Sequence, residues 1–98
     1  MPYTVIWIPE AETELTRLYL KARERGLSEL WLSCAHIDRV LRHAPDQFGV
    51  PMEDFPGLWA YAAPPIGGHR LAVVYRISFA DRQVVVQKPY VLPALGSN

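Results

Sequence analysis

The sequence predicts an α+β fold with the element order βααβββ, in which an αα-hairpin packs on one face of a small, mostly antiparallel sheet. Three observations predict this class. Residues 3–8 are β-branched and aromatic, residues 10–44 carry apolar side chains at helical spacing, and residues 58–91 contain short runs with strand-like alternation. A chain of 98 residues can bury one hydrophobic core, so we expect a single domain spanning residues 1–98.

The first strand and the first helix have clear boundaries. The strand over residues 3–8 ends at Pro9, and its apolar composition predicts burial on both faces. Pro9 suits the first turn of a helix, which we place over residues 10–25, and Gly26 provides a residue that can end it in the left-handed conformation. The apolar face of this helix consists of Ala11, Leu15, Leu18, Tyr19 and Ala22.

A second helix is predicted to follow almost at once, with Ser28 as its N-cap and Pro45 at its end. Because the connection is so short, the two helices should be antiparallel neighbours. Residues 46–56 combine prolines, a glycine and acidic side chains, so we expect a loop there. The apolar stripe of the second helix consists of Leu30, Cys34, Ile37 and Leu41, with Trp31 and Ala35 beside it.

Three strands are predicted after this loop, over residues 58–62, 70–79 and 84–91, with Gly67 and Gly68 forming the turn before the middle one. The middle strand has the clearest alternation, because one of its faces is entirely apolar and the other is mixed. The face predicted to join the core contains Leu71, Val73, Tyr75, Ile77 and Phe79. The opposite face contains Arg70, Ala72, Val74, Arg76 and Ser78.

The charges are balanced overall but unevenly distributed. The chain has 10 Lys and Arg against 10 Asp and Glu, so it lacks the net positive charge usual in nucleic-acid-binding domains. Residues 1–54 hold nine acidic and six basic side chains, whereas residues 55–98 hold one acidic and four basic side chains. The sheet half can therefore present a weakly cationic face to nucleic acid or to an acidic partner.

Several classes of protein are excluded by composition. Half of the residues are hydrophobic and 20% are charged, which is typical of a folded globular chain. Cys34 is the only cysteine, which rules out an intrachain disulfide and a thiolate metal site. His36 and His43 lie about 10 Å apart on one helix, too far to share a metal ion. We expect no cofactor, no metal, no membrane segment and a cytoplasmic location.

Four segments carry a resemblance to a known family: WIPEAETEL (residues 7–15), IDRVL (37–41) before Pro45, GHRLAVVYRI (68–77) and DRQVVV (81–86). In this order they resemble the strand-to-helix opening, second helix, central strand and final hairpin of the RelE/ParE superfamily. This superfamily comprises toxins of type II toxin-antitoxin modules, also known as plasmid stabilisation proteins. The resemblance covers residues 3–92, and it is the ordered set of segments that supports it.

The resemblance implies one of two activities. RelE-like members are ribosome-dependent mRNA endonucleases, whereas ParE-like members poison DNA gyrase without being enzymes. Both are neutralised by an antitoxin that wraps around the toxin. The implied partners are therefore a cognate antitoxin and either gyrase or the ribosome with mRNA, and a homodimer stays open.

The endonuclease reading rests on a few residues. By resemblance, Arg70 matches the third-strand arginine of RelE-like toxins, Lys88 the basic residue on the last strand, and Tyr90 the C-terminal tyrosine. His69 offers a group that titrates near neutral pH, although a histidine beside a glycine turn is usually only solvated. Residues 58–62 contain no lysine where RelE-like toxins have two, which favours a ParE-like toxin or one of undefined target.

Target or partner binding is the other predicted role, assigned to Arg70, Arg76, Lys88, Trp59 and Tyr61. The two arginines are equally well explained as ordinary solvent-facing residues, and Lys88 as an edge-strand guard. Trp59 and Tyr61 stack on bases or an antitoxin side chain, or else belong to the core. A third hypothesis is a non-toxic member that only binds its antitoxin, by strand addition at residues 58–62 or at the chain termini.

Overall fold

The computed structural model describes residues 2–26 and 29–93, and these residues form a five-stranded sheet with helices packed on one face. The predicted α+β class is confirmed. The strand order is β1-β5-β4-β3-β2, with β1 parallel to β5 and every other pair antiparallel. The elements are β1 (Thr4–Trp7), α1 (Pro9–Glu24), α2 (Leu30–His43), α3 (Pro45–Phe48), β2 (Val50–Pro51), β3 (Trp59–Ala62), β4 (His69–Ser78) and β5 (Gln83–Pro93).

Helix α1 begins and ends within one residue of the predicted bounds, residues 10–25. Pro9 and Glu10 lie in the first turn, where the helix dipole favours carboxylates. Lys21 lies in the last turn, where the dipole favours cations. Gly26 follows with a φ of +76°, the left-handed conformation that glycine adopts most easily. The predicted apolar face packs on the sheet, with Ala11 fully buried.

Helix α2 buries its predicted stripe against the sheet, and Leu30, Ile37 and Leu41 are all inaccessible to solvent or nearly so. The predicted N-cap, Ser28, lies outside the described residues. Trp31 is 58% exposed and therefore lies on the outer side of the helix.

The prediction of a loop over residues 46–56 is partly wrong, because this segment contains most of α3 and all of β2. Contact with β4 holds it in place. The Tyr75 hydroxyl donates a buried hydrogen bond of 2.7 Å to the carbonyl oxygen of Pro45. A Cβ at Gly49 would overlap the same hydroxyl oxygen, so only glycine leaves room for the tyrosine. Because this contact fixes the chain just before β2, β2 pairs with β3 and covers its outer edge.

The core lies between the sheet and the helices, and β4 supplies its centre through Leu71, Val73 and Tyr75, each with no exposed surface. The predicted glycine turn before β4 is confirmed by positive φ values at Gly67 and Gly68. Phe79, predicted to join the core, follows the end of β4 and is 54% exposed, so that prediction is wrong.

Strand β1 is not buried on both faces as predicted. Its position at the edge of the sheet and its alternation place Val5 and Trp7 toward the helices, while Thr4 and Ile6 face solvent. Ile6 is 39% exposed. In β5, Gln87 is an extra residue: Val86 pairs with Tyr75, and Lys88 with Val74. This β-bulge shifts the alternation of β5 by one residue.

Candidate functional site

The sheet face turned away from the helices, here called the open face, carries most of the predicted charged site residues. In the pairing of β4 with β5, Tyr90 lies opposite Ala72 and Lys88 opposite Val74. Directly paired residues share a face, and Arg70 and Arg76 share theirs with Ala72 and Val74. The open face therefore brings together Arg70, Arg76, Lys88 and Tyr90, with Ile6 and Val85 nearer β1.

The cations are spread along the face rather than clustered. Arg70 and Arg76 are six residues apart on β4, about 20 Å along an extended strand. Tyr90 is diagonal to Arg70, whereas Lys88 lies between the two arginines along the strand direction. An extended anionic segment could contact all three cations, but one phosphate group could not.

Arg70 is held in a fixed position. Its Nε donates to the carbonyl oxygen of Ala63 at 2.9 Å, and its Nη2 donates to that of Ala62 at 3.4 Å. Both acceptors lie at the end of β3. The guanidinium keeps its charge and its other donors, so it is a positioned cation at one end of the open face.

Arg76 reaches the opposite end of the face, toward the loop before β3. A Cβ at Gly57 would lie 2.8 Å from its Nη1, so the guanidinium rests against this glycine. Arg76 is exposed and makes no ion pair with any carboxylate in the described residues. Its charge is therefore available to a partner.

Lys88 lies near α1. Hydrogen bonding to Arg17 lowers the pKa of Glu14 below its ordinary value, and the charge of Lys88 contributes a weaker effect in the same direction. The two groups are not within ion-pair distance. Lys88 is exposed, so its ammonium group is also available to a partner.

Three predicted site residues lie on the other side of the sheet. His69 has the same parity in β4 as Leu71 and Val73, and therefore faces the helix layer. Trp59 pairs with Tyr75, and Tyr61 pairs with Val73, so both aromatic rings also face the helices. Both side chains are partly buried and pack against the core, on the opposite face from the charged residues.

Tyr61 takes part in a contact that the sequence did not reveal. Its hydroxyl and the Nε2 of His36 on α2 are 2.7 Å apart, and the two rings stack with centroids 6.0 Å apart. Burial raises the pKa of Tyr61, and the nearby Arg70 opposes that rise. The tyrosine thus joins β3 to the helix layer.

The composition of the open face limits its chemistry. Among its described residues there is neither a carboxylate nor an imidazole to accept a proton from a substrate hydroxyl. Nor do the described residues contain a cluster of His, Cys, Asp and Glu side chains able to hold a metal ion. The open face is suited to binding an anionic or extended partner.

No described helix is long and apolar enough to span a membrane.

The outer edge of β1 is a second binding feature. The Thr4 N–H donates to the carbonyl oxygen of Arg82 at 2.9 Å, and the Ile8 N–H donates to that of Val86 at 3.3 Å. Alternate residues of β1 therefore direct their backbone N–H and C=O groups toward β5. Val5 and Trp7 therefore direct their N–H and C=O groups away from the sheet, without a partner in the described residues. They can pair with an added strand.

Other exposed edges are less suited to such pairing. Pro51 has no N–H to offer at the outer edge of β2. Beyond β1, the outward positions of β5 are Pro89, Val91 and Pro93, of which only Val91 has an N–H. Residues 58–62, predicted as an edge, are covered by β2. The predicted edge near the N-terminus does exist, in β1.

No protein-family model matches the sequence. Comparison with curated proteins gives no match either. Among solved structures, the chain is similar to a chain of the toxin-antitoxin complex RelBE2 from Mycobacterium tuberculosis, with a TM-score of 0.58. The two chains are 24% identical, and the alignment covers 91% of this chain and 96% of the other. At that identity the comparison establishes a shared fold.

Proposed function

We propose that this protein is the toxin of a type II toxin-antitoxin module and that a cognate antitoxin neutralises it in the cytoplasm. The observation that carries the proposal is the fold shared with a chain of the RelBE2 complex over nearly the whole length of both chains. The ordered sequence resemblance to the RelE/ParE superfamily over residues 3–92 also supports it.

The proposed antitoxin contacts two adjacent features. Its acidic side chains lie on the open face, where Arg70, Arg76 and Lys88 carry positive charge. An extended part of it pairs with the free edge of β1, where Val5 and Trp7 each offer one donor and one acceptor. Four main-chain hydrogen bonds and a complementary field would then fix the position of the antitoxin.

As a toxin, we propose a ParE-like protein, directed at gyrase or at another target, that does not cleave RNA. RNA cleavage through the 2′-hydroxyl requires a proton acceptor. Strand β3 has no lysine, and the open face has no carboxylate or imidazole among its described residues. Arg70 is also partly engaged by the carbonyl oxygens of Ala62 and Ala63.

An mRNA endonuclease of the RelE type is the second candidate, favoured by the position of Arg70, Lys88 and Tyr90 on one face. The third is a non-toxic protein that only binds an antitoxin.

Controlled expression separates these three functions. Growth arrest with an SOS response and intact transcripts supports the ParE-like toxin. Transcripts cut on translating ribosomes, with cutting lost in Arg70→Ala, support the endonuclease. No growth effect, with binding to the product of the adjacent reading frame, supports the third.

Strand addition is tested with Val5→Pro, which removes an outward N–H from β1 without touching the bonds to β5. Val5→Ala is the matched control, because it shortens the same side chain and keeps the N–H. We expect only the proline variant to lose affinity for the antitoxin candidate encoded in the adjacent reading frame, measured by calorimetry. Equal affinities, with both variants folded by circular dichroism, would exclude pairing at β1.

A further inference from the structure

A small hollow of about 70 Å³, open to solvent, lies on the helix side of the molecule and away from the open face. It is formed where the end of α1 and the start of α2 meet the beginning of β4 and the end of β5. It is smaller than the pockets of about 300–1,000 Å³ that enclose whole small-molecule ligands. The apolar lining consists of Leu18, Ala22, Leu30 and Val91, and the remaining lining residues are Lys21, Arg25 and His69.

The charges around the hollow have one sign. Lys21 and Arg25 come from the last turn and C-cap of α1, and no acidic side chain is among the described residues of the lining. Neither cation forms an ion pair within the described residues. The helix dipole alone favours cations at this end of α1, but it does not account for the apolar cavity between them or for the third group, His69.

His69 adds a fixed polar group from a different element. Its Nδ1 lies 3.1 Å from the carbonyl oxygen of Gly67, which can only accept, so Nδ1 donates the hydrogen bond. This contact holds the ring and leaves Nε2 without a partner in the described residues. The apolar floor is thus bordered by polar groups from both the helix layer and the sheet.

We propose that this hollow binds an acidic peptide segment of a partner protein, which places one aliphatic side chain inside and its flanking carboxylates on Lys21 and Arg25. The charge complementarity and the apolar floor together select this ligand. A free aliphatic acid fits less well, because small-molecule sites enclose most of their ligand, whereas this hollow is small and partly open to solvent. A peptide supplies the rest of its contact outside the hollow.

The experiment uses three synthetic peptides added to the ¹⁵N-labelled protein and followed by amide chemical shifts. Acetyl-Glu-Leu-Glu-amide is the probe, acetyl-Gln-Leu-Gln-amide removes its charge, and acetyl-Glu-Ala-Glu-amide removes its aliphatic side chain. We expect saturable shifts at Lys21, Ala22, Arg25 and Val91 with the first peptide, and markedly weaker binding of the other two. Equal shifts with all three peptides, or shifts confined to the open face, would overturn the proposal.

Variants of the rim provide the second measurement. Replacing both Lys21→Gln and Arg25→Gln should weaken binding of the probe about tenfold, because each exposed ion pair contributes only modestly to affinity. Arg23→Gln is the matched control: it removes the same charge from the same helix at a residue that does not line the hollow. An equal loss of affinity in the control would show that net charge alone explains the effect, and it would contradict a defined binding site.

This proposal is independent of the toxin assignment. Growth arrest and antitoxin binding test the open face and the edge of β1, whereas the peptide titration reports only on the hollow. Failure of either set of experiments therefore leaves the other standing.

Discussion

The two faces of the sheet are made from the same strands and yet have opposite character. On β4, Leu71, Val73 and Tyr75 have no exposed surface, whereas Arg76 on the other face is exposed and unpaired among the described residues. The helix-facing side contributes most of the stability through burial. The open side adds little to stability, which leaves it free to carry charge for a partner.

The polar groups show the same division. On the helix side, the Tyr75 hydroxyl bonds to Pro45, and the Tyr61 hydroxyl to His36. On the open side, only Arg70 of the three cations has hydrogen-bond acceptors within the described residues. Substitutions on the two faces should therefore separate stability from binding.

Truncation of the centre of the core should have the largest effect. Leu71→Ala leaves a cavity beneath the helices and should lower the free energy of unfolding by about 2–5 kcal/mol. Urea denaturation followed by tryptophan fluorescence measures the change. A loss below about 1 kcal/mol would mean that the helix-facing side is not closely packed here.

The contact between Gly49 and Tyr75 should be almost as sensitive. Gly49→Ala places a methyl group against the Tyr75 hydroxyl oxygen, and the resulting overpacking should lower the free energy of unfolding by about 1–3 kcal/mol. Thermal denaturation measures this loss. Adding Tyr75→Phe should recover part of it, because the clashing oxygen is removed. Strictly additive effects in the double variant would contradict this contact.

The Tyr75 hydroxyl should also shape the pH dependence of stability. Tyr75→Phe leaves the Pro45 carbonyl without its buried donor and should cost about 1–2 kcal/mol. Burial raises the pKa of Tyr75, so above about pH 10 the unfolded chain releases this proton before the folded chain does. Stability should therefore fall as pH rises beyond that value, and less steeply in Tyr75→Phe. Urea denaturation above about pH 10 measures this dependence. If the stability of the wild-type protein and of Tyr75→Phe fell equally steeply with pH, the raised pKa would not belong to Tyr75.

The open face should be the least sensitive. Arg76→Gln should change the free energy of unfolding by less than about 0.5 kcal/mol. It should nevertheless reduce the salt dependence of binding to an acidic antitoxin, measured by calorimetry at two ionic strengths. Arg39→Gln, an exposed position on α2, is the matched control and should leave the salt dependence nearly unchanged. If the two variants behaved alike, Arg76 would have no specific part in binding.

Local periodicity was enough to predict α1, α2 and β4. Their apolar residues recur at the spacing of the element, and Pro9, Gly26 and the Gly67–Gly68 turn mark the ends. Strand β2 has two residues and no period to recognise. The exposure of β1 depends on its place at the edge of the sheet, which is decided by pairing with β5, far away in sequence.

The candidate site was only partly predictable for the same reason. Arg70 and Arg76 follow from the alternation of β4, but the side to which Trp59 and Tyr61 turn depends on their register with Val73 and Tyr75. The hollow beside His69 involves four elements, and no local pattern reports such a meeting. Long-range pairing, rather than residue type, decided these outcomes.

The extra residue in β5 decides which face of the sheet each later side chain of the strand occupies. Val84 and Val86 face the helices, and strict alternation would send Lys88 and Tyr90 after them. The bulge at Gln87 instead turns Pro89 inward and puts Lys88 and Tyr90 beside the β4 arginines. If Gln87 instead paired with Val74 in a regular ladder, every later side chain of β5 would change face, and Lys88 would take the buried place of Pro89. Deletion of Gln87 would, by contrast, leave Lys88 opposite Val74 and Tyr90 opposite Ala72.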